Sequence, residues 1–381
     1  MRYFIIAGEQ SGDLHGSNLV RELRGADEQA EIWCWGGDLM ESAGAKLIKH
    51  YKETAFMGFV VIAKNLRKIA ANLDLCKKHI LEFKPDAVIL IDYPGFNLRI
   101  AEFAKKNKLK VFYYISPKFW AWNEKRVDKV KKYVDRMFII FPFETDFYRK
   151  HGISVEYMGN PLVDEIQGRI SSMPGRDEIK RSTGVGFKPV IALLAGSRIH
   201  EVKSILPQML KVIDHFPDYQ FVLAGVKNLP DELYRNIIGK KPVIFVKEKT
   251  YEILNISEAA LVASGTATLE AALFNVPQVV CYKGDFFSML IAWMVIKVKY
   301  IALVNLIMDS EVVRELIGYS LNGQNLVREL RNILPGSARR ESIMLAYKDL
   351  KEKLGAAGAS CRIAREMTDI LRSRVGEREN S

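Results

Sequence analysis

The feature that most constrains this chain is a repeated alternation of short apolar runs with longer amphipathic segments. The alternation runs from Arg2 to Tyr157, gives way to a polar stretch at Gln167–Lys188 and restarts at Val190. Short apolar runs separated by helical periodicity are typical of a parallel sheet with helices on its faces. A chain of 381 residues is also longer than one hydrophobic core usually organises. The sequence therefore predicts an α/β fold of two Rossmann-like domains.

The apolar runs predict the strands of both domains. Those of the first are Arg2–Ala7, Glu31–Trp35, Ala87–Ile91, Lys110–Ile115, Arg136–Phe141 and Ser154–Tyr157. Those of the second are Val190–Leu194, Tyr219–Ala224, Val243–Val246, Ala259–Ala263 and Gln278–Tyr282. From Glu311 onward only helical periodicity is visible. We expect a first domain at residues 1–165, completed by C-terminal helices at 337–375, and a second at 166–336. Ligands of such sheets bind beyond the carboxyl ends of the strands, so a cleft between the two sheets is expected to hold the site.

Charge and cysteine content narrow the classes of partner. The formal net charge of +11 favours nucleic acid, phosphorylated substrates or an anionic membrane face. No nucleic-acid motif is visible, and no nucleic-acid partner is predicted. The four cysteines lie far apart without metal or disulfide spacing, which fits a reducing compartment. The chain enters an apparent strand at once, which argues against an export signal. No acidic cluster is typical of a metal site, so neither a metal nor a cofactor is expected.

Polar turns follow two strands of the first domain. The turn Gly8–Gly16 carries Glu9 and His15 and is rich in glycine, which suits close approach of a ligand to the backbone. It reads equally well as an ordinary strand-to-helix turn. Asp92 follows a buried strand, where a carboxylate is held rigidly and can act as a general base. The alternatives are that Asp92 caps the helix near Asn97 or pairs with a nearby cation.

Two aromatic segments are candidates for contact with sugars, acyl chains or a membrane. The loop Ser116–Asn123 contains Trp120 and Trp122, whose rings suit stacking on such groups. An apolar block at Phe286–Ile296, which includes Phe287 and Trp293, is too short to span a bilayer. It predicts either a core helix or an interfacial helix. The alternative for the loop Ser116–Asn123 is that it simply folds over the core.

Two turns of the second domain suit an anionic ligand. Ser197 and Arg198 stand at the start of a helix after a small-residue turn, where amides and a guanidinium can grip a diphosphate. Ser264, Gly265 and Thr266 open another helix, and Glu270 lies one turn further along the same face. A carboxylate there can accept hydrogen bonds from both hydroxyls of a ribose. The alternative is a capped core helix.

Taken together, the motifs of this chain closely resemble those of lipid-A-disaccharide synthases, inverting glycosyltransferases of the GT-B architecture. In chain order they are Gly8-Glu-x-Ser-Gly-Asp13, Met57-Gly-Phe59, Ile91-Asp-x-Pro-x-Phe-Asn97, Ser116-Pro-x-x-Trp-Ala-Trp122, Gly196-Ser-Arg198 and Ser264-Gly-Thr-x-Thr-Leu-Glu270. The Ser-Pro-x-x-Trp-Ala-Trp segment is specific to the family, whereas Ser-Gly-Thr…Glu is shared more widely among GT-B enzymes. The family often has Asp where Gly95 stands and Pro where Ala195 stands.

The resemblance implies a reaction and a location. UDP-2,3-diacylglucosamine would donate its sugar to 2,3-diacylglucosamine 1-phosphate, giving a β-1,6-linked disaccharide phosphate and UDP. The enzyme would sit peripherally on the cytoplasmic face of the inner membrane. Asp92 is then the expected base, with Glu9 and His15 in reserve, and Arg198 and Glu270 are expected to hold the donor. The C-terminal helices either return to the first domain or exchange between subunits of a homodimer.

Three other functions fit parts of the pattern. Another GT-B enzyme of UDP-sugars, such as a UDP-N-acetylglucosamine epimerase or the muramyl glycosyltransferase, would use comparable donor turns. A non-catalytic, membrane-associated nucleotide-binding protein would fit the missing carboxylate at Gly95. A nucleic-acid-binding module would fit the charge alone.

Overall fold

The computed structural model describes residues 1–53, 66–122, 126–283 and 299–379. The chain divides into two compact units. The first comprises Met1–Pro161 together with Ala357–Ser381, and the second comprises Leu162–Ala356. Each unit is built on its own sheet, and every described strand pairing is parallel. The predicted pair of parallel-sheet α/β domains is therefore confirmed.

The sheet of the first unit has seven strands in the order β3-β2-β1-β4-β5-β6-β7. They are β1 Arg2–Ala7, β2 Glu31–Gly36, β3 Lys46–His50, β4 Ala87–Ile91, β5 Lys110–Tyr114, β6 Arg136–Ile139 and β7 Glu156–Tyr157. Strand β4 is apolar and buried throughout, as expected of a parallel strand covered on both faces. The order reverses between β1 and β4, and this switch point is where doubly wound sheets bind ligands.

The second sheet has six strands in the order β10-β9-β8-β11-β12-β13. They are β8 Val190–Leu194, β9 Gln220–Gly225, β10 Val243–Lys247, β11 Ser257–Ala263, β12 Gln278–Tyr282 and β13 Arg314–Ile317. Its order reverses between β8 and β11, so this unit has a switch point of the same kind.

Helices connect the strands and cover both faces of each sheet. Those before the second sheet are α1 Gln10–Ala26, α2 Asp38–Ser42, α3 Leu66–Phe83, α4 Pro94–Lys106, α5 Phe119–Trp122, α6 Val127–Tyr133, α7 Glu144–Lys150, α8 Pro161–Ser172 and α9 Arg176–Thr183. Those that follow are α10 Ile199–Met209, α11 Asp231–Ile238, α12 Thr250–Ile256, α13 Thr266–Leu273, α14 Leu303–Met308, α15 Gly323–Arg331, α16 Ala338–Leu354 and α17 Ala359–Glu379. Short 3₁₀ turns lie at Tyr51–Glu53, Leu210–His215 and Gly318–Ser320.

The two C-terminal helices pack on different units. Helix α17 packs against α1, and its apolar face joins the core on one side of the first sheet through Ile363 and Met367. Helix α16 belongs to the second unit, where the hydroxyl of Tyr347 donates to the carbonyl of Val276 at 3.3 Å. The sequence prediction grouped both helices with the first domain. The structure instead separates them, and the predicted boundary between residues 165 and 166 falls inside α8.

Two edge strands were not predicted. Strand β13 lies in the region that was expected to be purely helical, so that expectation is wrong there. Its sequence is Arg-Glu-Leu-Ile, and strand β3 reads Lys-Leu-Ile-Lys-His. Both are short and carry charged or polar residues, because an edge strand has a partner on one side only. Glu315 of β13 also accepts the backbone N–H of Ala302 at 2.9 Å, a tertiary bond that no apolar pattern reveals.

Candidate active site

The switch point of the first sheet places Glu9 and Asp92 at the ends of neighbouring strands. Ala7 of β1 is in register with Ile91 of β4, and Glu9 and Asp92 follow these two positions. Asp92 and Tyr93 both have positive φ angles, 44° and 48°, a conformation that costs energy for residues with side chains. The turn is held by its own hydrogen bonds. The Asp92 carbonyl accepts the Tyr113 hydroxyl at 2.5 Å and the Asn97 amide at 2.8 Å.

Gly8 allows the two strand ends to approach each other. A Cβ at this position would lie 2.4 Å from the ring of Tyr93, so any other residue would displace that ring. Tyr93 is the N-cap of α4, and in the described structure no side chain caps that helix end. This argues against the alternative in which Asp92 serves as the helix cap.

Burial and charge together raise the pKa of Asp92. Removal from water is the larger cause and the negative charge of Glu9 the next, while the cation of Lys118 and the backbone amide of Tyr93 act in the opposite direction. The result is a pKa of about 6 instead of 3.8. A carboxylate with a pKa near the working pH is well suited to accept a proton. The structure therefore brings together Asp92, Glu9 and a lysine that the sequence analysis did not single out.

Asp13 and His15 of the first turn differ from Asp92. Asp13 is 3% exposed and accepts the backbone N–H groups of Gly37 at 2.8 Å, Leu39 at 3.2 Å and Met40 at 3.1 Å. It therefore holds the start of α2. Burial lowers the pKa of His15 to about 4, so its imidazole is neutral at pH 7. Its Nδ1 makes no hydrogen bond in the described structure.

The aromatic loop after β5 is anchored by a residue that the sequence analysis missed. The indole N–H of Trp120 donates to Glu144 Oε1 at 3.0 Å. Glu144 is 1% exposed, and burial raises its pKa to about 7. The side chain of Trp120 is partly buried. The loop is therefore neither fully exposed to a ligand or membrane nor fully folded into the core. The side chain of Trp122 lies outside the described residues.

In the second unit, a carboxylate already engages the turn that opens α10. Gly196 has a φ of 108°, and Arg198 is the N-cap. Glu201 Oε2 accepts the amides of Ser197 at 2.9 Å and Arg198 at 3.2 Å. The Arg198 guanidinium is more than half exposed and lies 3.3 Å from Glu201 Oε1. The guanidinium is thus accessible to an anion, whereas these two amides already have an acceptor.

The turn that opens α13 has exposed backbone amides and lies one helical turn from a partly buried carboxylate. Gly265 and Thr266 are exposed, and the first amides of a helix have no acceptor within it. The Ser264 hydroxyl donates to the Ile301 carbonyl at 3.1 Å. One turn along, burial raises the pKa of Glu270 to about 7, and the charge of Glu165 adds to this effect.

Glu165 and Tyr251 form a second group beside Glu270 that the sequence analysis missed. The Tyr251 hydroxyl donates to Glu165 Oε1 at 2.9 Å, and the negative charge of Glu270 acts on Tyr251. Glu165 Oε2 is buried and accepts no hydrogen bond in the described structure. Two neighbouring carboxyls thus compete for ionisation.

Comparison with known proteins finds one family over nearly the full length of the chain. The sequence profile described as lipid-A-disaccharide synthetase matches residues 3–367. The lipid-A-disaccharide synthase of Syntrophus aciditrophicus is 39% identical over 368 residues, which cover 94% of this chain and 95% of that protein. The enzyme of the same name from Geobacter sulfurreducens is 34% identical over 381 aligned residues, with 98% of each chain covered.

The chain belongs to the lipid-A-disaccharide synthase family.

Solved structures of similar fold come from UDP-sugar enzymes. The UDP-GlcNAc 2-epimerase of Neisseria meningitidis, bound to UDP-GlcNAc, matches with a TM-score of 0.68 at 13% identity and covers 97% of this chain and 100% of its own. MnaA of S. aureus, solved with UDP, matches with a TM-score of 0.70 at 16% identity and covers 97% of both chains. At such identities the likeness concerns the fold alone, which is the GT-B architecture expected from the motifs.

The two departures from the family pattern are Gly95, where the family often has Asp, and Ala195, where it often has Pro. Gly95 is exposed, and a Cβ there would have no atom within 4 Å. An Asp at this position would therefore fit without displacing its neighbours. Ala195 is 1% exposed and immediately precedes the positive-φ residue Gly196.

Three predicted contacts and one family motif lie outside the described residues. The contacts are Phe286, Phe287 and Trp293, and the motif is Met57–Phe59. Among the helices that the structure describes, none is both long and apolar enough to cross a bilayer. Within the same residues, no group of three His, Cys, Asp or Glu side chains is arranged to hold a metal ion.

Proposed function

We propose that the protein transfers the acylated sugar of UDP-2,3-diacylglucosamine to the 6-hydroxyl of 2,3-diacylglucosamine 1-phosphate. The products are the β-1,6-linked disaccharide 1-phosphate and UDP, in the biosynthesis of lipid A. Family membership supports the reaction. The observation that carries the mechanism is Asp92, a carboxyl at a sheet switch point whose pKa is raised to about 6.

Asp92 acts as the general base. As the acceptor oxygen attacks the anomeric carbon, its proton passes to the Asp92 carboxylate. The bond from the anomeric carbon to the diphosphate oxygen breaks, and its electron pair leaves with UDP. Attack from the face opposite the leaving group inverts the anomeric carbon. Positioned base catalysis contributes about two to four powers of ten to such a step. Burial and, after it, the negative charge of Glu9 keep the pKa of Asp92 high, and His15 is the reserve base.

The second unit binds the donor. The N-terminus of α13, at Gly265 and Thr266, and the exposed guanidinium of Arg198 stabilise the leaving diphosphate. The amides of Ser197 and Arg198 already bind Glu201, so this turn contributes the Arg198 guanidinium and the Ser197 hydroxyl. The ionised Glu270 accepts the ribose hydroxyls, and Ser264 supports the turn.

The acyl chains of both substrates require apolar contacts. Trp120, Trp122 and the segment with Phe286, Phe287 and Trp293 provide them. The protein sits peripherally on the cytoplasmic face of the inner membrane, and the net charge of +11 favours this anionic surface. Helix α17 packs on the first unit.

The test is transfer by the purified protein in detergent micelles that contain both lipid substrates. Wild type should form the disaccharide phosphate, and Asp92→Asn should lose at least about a hundredfold in turnover while binding UDP normally. Unacylated UDP-N-acetylglucosamine, assayed for epimerisation and for transfer to a muramyl lipid, tests the other GT-B activities. Near-normal turnover of Asp92→Asn would eliminate the base, and activity confined to the unacylated donor would replace the proposed reaction.

A further inference from the structure

Glu144 is a buried carboxylate to which the proposed reaction gives no role. It follows β6 at the end of the sequence Phe141-Pro-Phe-Glu and is 1% exposed. Its Oε1 accepts the indole N–H of Trp120 at 3.0 Å, and its Oε2 accepts the amide of Phe141 at 3.1 Å. One carboxylate therefore ties the loop after β5 to the loop after β6.

Further contacts hold the same two loops together. The hydroxyls of Ser116 and Tyr148 are hydrogen-bonded at 2.7 Å. The rings of Trp120 and Phe143 pack edge to face with centroids 4.9 Å apart, and Phe143 stacks on Phe141 at 5.6 Å. Such ring pairs add modest directional stability. The loop Ser116–Trp122 is thus fixed at its beginning by Tyr148 and further along by Glu144.

The same loop carries a charge to the proposed base. Lys118 lies between Ser116 and Trp120, and its cation acts to lower the pKa of Asp92. Strands β4 and β5 are neighbours, so their ends, with Asp92 and this loop, lie at the same edge of the sheet. A change in the anchoring of the loop should therefore be felt at Asp92.

Burying a carboxylate such as Glu144 costs desolvation free energy, which a purely structural position does not require. Burial raises the pKa of Glu144 to about 7, although hydrogen bonds from Ser116, Trp120 and the amides of Phe141 and Ile140 act in the opposite direction. The titratable groups that face it are Tyr148 on its own helix and Tyr157 on β7. Well-packed apolar side chains usually fill buried sites at lower desolvation cost. What Glu144 adds is simultaneous acceptance of donors from both loops.

We propose that Glu144 is the positioning residue of the loop Ser116–Trp122, which it holds through Trp120 so that Lys118 and the aromatic side chains meet the lipid acceptor beside Asp92. The effect of Glu144 on binding of the lipid acceptor rests on the proposed function. The hydrogen bond from Trp120 to Glu144 does not depend on that function. The effect on acceptor binding and the hydrogen bond can therefore be tested separately.

The first experiment is steady-state kinetics of Glu144→Gln. Glutamine keeps the shape but puts an NH₂ group against other donors, so the loop loses one anchor. The KM for the lipid acceptor should rise about tenfold or more, because small misplacements of binding groups are costly, while the KM for the donor stays unchanged. The acid limb of kcat/KM should move to higher pH as Lys118 leaves Asp92. Trp120→Phe, which removes the indole donor and keeps a ring, should shift both quantities in the same direction.

Glu156→Gln is the matched control. Glu156 is a partly buried carboxylate of the same unit that lies 3.5 Å from Arg136, and its loss should leave the acceptor KM and the acid limb unchanged. A folded Glu144→Gln variant with wild-type acceptor KM and acid limb would overturn the proposal. If that variant does not fold, Trp120→Phe decides in the same way.

The second experiment needs no substrate. The difference in tryptophan fluorescence between wild type and Trp120→Phe should titrate near pH 7, where Glu144 ionises, and Glu144→Gln should abolish that titration. If wild type shows the titration but forms no disaccharide, the proposed function fails and the link stands. A Trp120 fluorescence signal that is the same in wild type and Glu144→Gln at every pH between 5 and about 9, well on either side of that pKa, would refute the link whatever the enzyme does.

Discussion

The acid limb of the pH–rate profile should report the pKa of Asp92, which depends on the charges of Glu9 and Lys118. The pKa of Asp92 is about 6 instead of 3.8, which corresponds to roughly 3 kcal/mol in favour of the protonated form. Because only the carboxylate accepts a proton, kcat/KM should fall about tenfold per pH unit well below pH 6. At pH 5 only about a tenth of the molecules would carry an ionised Asp92.

Neutralising either neighbour should move this limb, and in opposite directions. Glu9→Gln removes a negative charge that raises the pKa of Asp92, so the limb should move to lower pH. Lys118→Met removes a cation that lowers it, so the limb should move to higher pH. One charge at a partly screened distance typically shifts a pKa by about half a unit to one unit. At pH 5, Glu9→Gln should therefore raise kcat/KM about three- to fivefold relative to its own plateau at high pH.

The assay is kcat/KM for the lipid acceptor between about pH 4.5 and 8, within which one unit of pKa is resolved as a tenfold change in ionised ratio. Each variant is normalised to its own plateau, so that altered binding does not mimic a shift. Glu28→Gln, an exposed carboxylate of the same unit that precedes the amino end of β2, makes the same change in net charge at the opposite edge of the sheet from Asp92. If Glu9→Gln and Lys118→Met move the limb in the same direction, or no more than Glu28→Gln does, the electrostatic account of Asp92 is refuted.

Two further perturbations test the donor site and the fold. The affinity for UDP should increase as the pH rises through about 7, because the ionised Glu270 accepts the ribose hydroxyls and its pKa is about 7. Glu270→Gln should weaken UDP binding about tenfold and remove this pH dependence. Calorimetry that finds wild-type affinity for UDP in this variant would exclude the ribose role. Asp13→Ala leaves three backbone N–H groups without their acceptor, so it should lower the free energy of unfolding by about 2 kcal/mol or more. Asp13→Asn, which keeps one oxygen, should lose less in the same denaturant titration, and equal stability of all three proteins would contradict the assigned role.

Much of the fold follows from one regularity of the sequence. Buried parallel strands are apolar along their whole length, so strands such as β4 and β8 stand out as runs without polar residues. Edge strands are partnered on one side only and need no such run. This is why β3 and β13 were missed and why the C-terminal region was expected to be purely helical. The assignment of α16 to the second unit depends on contacts such as that of Tyr347 with Val276, which periodicity cannot specify.

The candidate site could be predicted where a motif and a strand end coincide. Asp92, Arg198 and Glu270 were predicted in this way. Glu144 follows a predicted strand, but it was missed because none of the identified motifs includes it. The signal was present in the sequence: a Glu three residues beyond an apolar strand, in an otherwise aromatic segment. Glu165 gives no such signal, since its significance depends on Tyr251 and Glu270, which are distant in the chain.

The structure also separates two aspartates that the sequence leaves equivalent. Asp13 and Asp92 both follow strands of the same sheet, and both belong to motifs of the family. The oxygens of Asp13 already accept three backbone N–H groups, so they are committed to the start of α2. For Asp92, the hydrogen bonds to Tyr113 and Asn97 go to its carbonyl and leave the carboxylate to face Glu9 and Lys118. A carboxylate whose lone pairs are already occupied is a poor acceptor for a substrate proton, whereas one that is partly buried with few donors gains by taking it. The number of donors at the carboxylate, rather than its position after a strand, is what distinguishes the base from the structural residue.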